Sequence, residues 1–177
     1  MRVELPPLVA SITRGSGLAG GLAAIAGLAA VVSVTLPWSE VTAELSMLGV
    51  AEDRAVAAIA GWATIPGLVA GVAGLGAVGL GAALAVDRHP GWTRPGLLLA
   101  AAALALSGIA AQLLRPSLDR FPDAAGAVDD LRTVAGDLPR GVELVLAVRT
   151  GAGATLTLVA GLAVLVAAAA ARDLDRR

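Results

Sequence analysis

The chain contains one histidine and no cysteine, so side chains able to act as a general base, a thiolate nucleophile or a soft metal ligand are few from the outset. His89 lies in the turn Arg88-His89-Pro90-Gly91 with neither a nucleophile nor a second ligand beside it, and it reads as a solvated turn residue. Asp119, Asp123, Asp129 and Asp130 have the chemistry to hold calcium. Their spacing does not follow the D-x-D-x-D-G order of a calcium loop, and they read as a solvated acidic face. The glycines between Ile65 and Val86 follow no strand and precede no Lys-Ser/Thr pair, so they do not form a phosphate loop. No catalytic, cofactor-binding or metal-ligating residue is nominated, and no cofactor is expected.

The elements that would have to position any chemistry are apolar helices. Of 177 residues, 57% are hydrophobic and 15% charged, and the mean hydropathy is +0.82, which places the chain in the membrane class. The stretch Ile65 to Val86 carries no charge and at about 1.5 Å per residue is long enough to cross a hydrocarbon layer about 30 Å thick. Its glycines recur at helical spacing: Gly67, Gly71 and Gly74 share a stripe that Gly81 and Ala85 resume, so a neighbouring backbone can approach closely. Residues 16–36 form a first span with a matching small-residue face at Gly17, Gly20, Gly21, Ala24 and Gly27. It is longer than the apolar core of a secretory signal, so it is read as an anchor although Val41-Thr42-Ala43 offers small residues for a peptidase. Residues 96–114 form a third span with a stripe at Ala100, Ala103, Ser107 and Ala111, and 150–171 form a fourth. The whole chain, 1–177, is thus a single all-α membrane domain, a four-transmembrane-helix bundle with two longer outer loops, 37–64 and 115–149, and a short hairpin, 87–95.

Between the ends of these spans there is no Asp, Glu, Lys, Arg or His. Proton-coupled carriers, pumps and voltage sensors keep such groups in the membrane, so those classes are disfavoured. Ser33, Thr35, Ser107, Gln112, Thr155 and Thr157 are the polar groups inside, and they read as hydrogen-bond partners between helices. Pro37 and Trp38 close the first span, and Trp38 and Trp62 are expected in the aromatic belt at headgroup level.

The outer loops are expected to form a small cap. Val41 to Met47 alternates as V-T-A-E-L-S-M, the period of a half-buried strand, with an irregular loop as the other reading. Gly49 and the Glu52-Asp53-Arg54 cluster are expected to turn the chain back, and Val56 to Thr64 to return it to the membrane. Val128, Leu131, Ala135 and Leu138 recur at helical spacing opposite Asp129, Asp130, Arg132 and Asp137, which predicts a short amphipathic helix. Gly141 to Val148 is either a strand or an early start of the last helix; as a strand it would pair with Val41 to Met47.

Four spans put both termini on one side. All 13 basic residues are arginine. Seven lie in the termini and the 87–95 hairpin, and six in the two outer loops, which together are about twice as long, so the positive-inside rule predicts cytoplasmic termini in the plasma membrane. Ten of the 14 carboxylates lie in the outer loops.

The ending Leu36-Pro37-Trp38 of the first span, the loop-to-span passage Ala60-Gly61-Trp62, the arginine-bearing hairpin and the longer loop before the last span together resemble a family. It comprises small four-span membrane proteins of actinobacteria, among them conserved membrane proteins encoded in the tryptophan-biosynthesis region. The likeness is one of layout over most of the chain. It implies an integral membrane protein and carries over no catalytic residue. Three functions follow as expectations. The first is an accessory or scaffold protein, not an enzyme, acting through its cap or helix faces on a membrane-protein partner or a second copy, within the lipid bilayer and without nucleic acid. The alternative is a small-solute transporter or channel component, and the third is a membrane enzyme built on His89 or the Asp129-Asp130 pair.

Overall fold

The structure is a computed structural model that describes residues 15–47, 50–86, 91–114, 121, 130, 133 and 142–174. Four helices and three strands follow one another as α1 (Gly15–Ser33), β1 (Pro37–Met47), β2 (Val50–Ala60), a 3-10 turn (Gly61–Ala63), α2 (Ile65–Ala85), α3 (Thr93–Leu113), β3 (Val142–Thr150) and α4 (Ala152–Leu174). Among the described residues, α2, α3 and the Ala152–Ala171 part of α4 are long and apolar enough to cross a membrane, and α1 contributes a shorter apolar stretch, Gly17–Ser33.

Each helix packs on two neighbours in the ring α1-α2-α3-α4, while α2 and α4, on one diagonal, hardly meet. Neighbours run antiparallel; the short connection between Ala85 and Thr93 requires it of α2 and α3. Gly20 faces Gly81 and Gly27 faces Gly74 across α1 and α2, and Gly108 faces Ala154 while Gly161 faces Ala101 across α3 and α4.

On α2 the buried residues are Gly67, Ala70, Gly74, Ala77, Gly81 and Leu84. Their spacing alternates three and four, the 3.5-residue period of helices that wrap around one another with a left-handed twist. The contact face is therefore narrower than the expected stripe: Gly71 is only half-buried and Gly76 and Gly79 have open space where a side chain would be. At the crossing the backbones themselves touch. A methyl group on Gly74 would lie 2.8 Å from the Gly27 carbonyl oxygen, and one on Gly81 2.6 Å from the Ala24 nitrogen. Small residues replace side-chain interdigitation with direct helix-to-helix contact.

The interior is built mostly of alanine, with Ala23, Ala30, Ala70, Ala77, Ala154 and Ala167 wholly buried and Leu97, Leu104 and Val164 the larger fillers. Bulky apolar side chains point outward instead: Ile25 is 68% exposed, Val72 72%, Leu99 73% and Leu113 77%. A water-soluble bundle places these groups the other way round.

The cap is a three-stranded antiparallel sheet in the order β2-β1-β3. β1 pairs with β3 through Val41↔Val148 and Met47↔Val142, so the strand readings of Val41 to Met47 and of the segment beginning near Gly141 hold. Four expectations are corrected. Glu52, Asp53 and Arg54 do not turn the chain: they lie inside β2, paired with Leu45, Glu44 and Ala43. Val56 to Ala60 continues that strand before the 3-10 turn leads into α2. The first helix ends at Ser33, short of the expected 36, because residues 34–36 form a turn whose Leu36 and Val34 carbonyls accept from Gly61 N and Trp62 N. The last helix begins at Ala152, since Thr150 is still strand.

α2 starts where its local chemistry dictates. Thr64 Oγ1 accepts from Gly67 N at 3.1 Å and donates to the Gly61 carbonyl at 2.9 Å, and Pro66 occupies the first turn, where its missing N–H costs little. Of the expected amphipathic helix, Asp130 and Thr133 are helical and exposed; Val128, Leu131, Ala135 and Leu138 lie outside the described residues.

Candidate functional site

Of the titratable residues weighed from the sequence for chemistry, only Asp130 is among the described residues. His89, Asp119, Asp123 and Asp129 lie outside the described residues, Asp130 is exposed, and among the described residues no group of three or more His, Cys, Asp or Glu is placed to hold a metal ion. Thr155 and Gln112 are exposed, and Thr35 bonds back to the Val32 carbonyl of its own helix. Ser107 is buried on α3.

The polar groups that do converge are Ser33 and Thr157, where α1 and α4 meet beneath the sheet. Both are completely buried, and their hydroxyl oxygens lie 2.6 Å apart. Ser33 Oγ is also 2.6 Å from the Ala30 carbonyl, and Thr157 Oγ1 is 3.0 Å from the Gly153 carbonyl. Two hydroxyl protons serve three short contacts, so one hydroxyl must donate to the other. Either hydroxyl can be that donor; the other proton goes to a carbonyl of its own helix, Ala30 or Gly153. No base touches either oxygen within this set, so the pair lacks the activation that a nucleophilic hydroxyl needs. It is a link between helices, as expected from sequence. A double-mutant cycle of Ser33→Ala and Thr157→Ala should give a coupling of about 1 kcal/mol in detergent unfolding, near the upper part of the range for such pairs. Zero coupling would mean that the two hydroxyls act separately.

Trp38 completes this junction and corrects the sequence reading. It is not a headgroup-belt residue: its ring is 1% exposed, and its Nε1 donates to the Ser33 carbonyl at 2.8 Å. A bulge between Pro37 and Ser39 leaves Trp38 without a partner on β2. Regular alternation would group Trp38 with Glu40 and Glu44; the extra residue re-aims the indole into the bundle. Two glycines make room for it. A methyl on Gly61 or Gly153 would run into the indole, and one on Gly67 or Gly151 would strike the backbone of Gly61 or Pro37. Gly151 N also donates to the Trp38 carbonyl at 2.9 Å, so the sheet is stitched to the ends of α1, α2 and α4 around one side chain. Trp62, by contrast, is 65% exposed, as a belt residue would be.

A second contact was missed from sequence. Phe121, the only phenylalanine, is buried against Val41, with Ala57, Ile59 and Val148 packed around them. A lone aromatic in a polar loop carries no period by which to place it. On the sheet's surface Arg149 pairs with Glu44 at 3.7 Å, with both side chains well exposed, an interaction of little energetic weight.

On the opposite, hairpin side of the bundle, an apolar groove of about 370 Å³ runs between α2 and the start of α3, lined by Leu75, Gly76, Gly79, Leu80, Ala83, Trp92 and Thr93. It opens to the outside of the ring. Arg94, in the first turn of α3, has its Nε atom buried without a hydrogen-bond partner among the described residues.

Comparison with known proteins finds no protein-family model and no curated protein that matches this chain.

Proposed function

We propose that this chain is a four-span integral protein of the plasma membrane with both termini in the cytoplasm, and that it serves as an accessory or scaffold protein without chemistry of its own. The observation that carries the reading is the inverted distribution of size: alanine and glycine inside the ring, leucine, isoleucine and valine outside it. Lipid is the solvent in which such a surface carries no penalty. α1 is the shortest apolar helix, but it lies at the same depth as its neighbours, with Gly20 on Gly81 and Gly27 on Gly74 at α2 and Ser33 on Thr157 at α4. Its 19 residues rise about 28 Å, close to the thickness of the hydrocarbon layer.

An accessory role fits a close-packed ring whose described buried polar side chains are the hydroxyls of Ser33, Thr93, Ser107 and Thr157, and whose cap offers a sheet anchored to three helices. A transporter would need a polar path between helices; the groove described above faces outward. The test is an affinity purification of the tagged full chain from its native membrane in mild detergent, with mass spectrometry of what accompanies it. A stoichiometric membrane-protein companion, retained by the native chain and lost when exposed cap residues such as Arg149 are replaced, is the expected result. A chain that purifies alone and moves solute when placed in liposomes would overturn it.

A further inference from the structure

We draw no further inference here: the strongest candidate, the outward-facing apolar groove between α2 and the start of α3 with Gly76 and Gly79 as its floor, is an unpartnered apolar surface, and nothing in the structure shows what covers it.

Discussion

Replacing Gly81 with leucine is expected to prevent the bundle from assembling, whereas Gly79→Leu, two residues earlier on the same helix, should leave it folded. The first atom of a side chain at Gly81 meets the Ala24 nitrogen at 2.6 Å and the Gly20 carbonyl oxygen at 2.7 Å. These are backbone atoms of α1, which cannot rotate aside as a flexible side chain does, so α1 and α2 must separate along their length. Overpacking in cores costs about 1–3 kcal/mol when neighbours adapt; here the alanine and glycine contacts of the whole crossing are lost together, and the cost should exceed that range. At Gly79 nothing lies within 4 Å, and exchanging glycine for leucine in a helix is favourable by several tenths of a kcal/mol or more. Size-exclusion profiles and thermal unfolding in one detergent, measured on the pair, make the comparison. Equal behaviour of the two variants would mean that α1 does not lie on the Gly74–Gly81 face.

The second large effect is expected at Trp38. Trp38→Ala should cost about 3–5 kcal/mol, the usual loss for a fully buried large aromatic, and should release the sheet from the helix ends so that limited proteolysis cuts within 37–64. Trp38→Phe keeps most of the volume and loses the bond to the Ser33 carbonyl, which should cost about 1–2 kcal/mol. Gly153→Val provides an independent route to the same failure, since its side chain would occupy the space of the indole. If Trp38→Ala were as stable and as protease-resistant as the native chain, the cap would not depend on this junction. The cap's function in the accessory reading depends on the same residue, because a sheet fixed to α1, α2 and α4 presents one surface to a partner without an ordering cost.

Much of the architecture was legible from residue order alone. An uncharged run such as Ile65 to Val86 has few alternatives to a helix of that length, and the helix found, Ile65–Ala85, differs by one residue. The alternation V-T-A-E-L-S-M left a strand and an irregular loop both open, and β1 contains it. Ser33 and Thr157 were legible only as two of six polar groups expected to link helices, because a hydroxyl in an apolar helix needs an acceptor; that these two meet was not. The candidate chemistry was thin in the sequence, and the buried polar groups that converge in the fold are hydroxyls bonded to each other and to carbonyls.

What residue order could not convey was phase. In a helix apolar on every side, hydrophobic periodicity does not say which face meets a neighbour, and glycine occurs on both faces of α2: Gly67, Gly74 and Gly81 at contacts, Gly76 and Gly79 beside open space. Only the docking of α1 and the placing of α3 separate a packing stripe from a groove floor. The same holds for Trp38, whose direction was set by one unpaired residue in β1, and for Phe121, whose partners on all three strands are distant in sequence. Length and polarity, properties of a segment by itself, were determined by the sequence alone; rotation about a helix axis, the site of a bulge and long-range contact depend on atoms elsewhere in the chain, and the tertiary structure decided them.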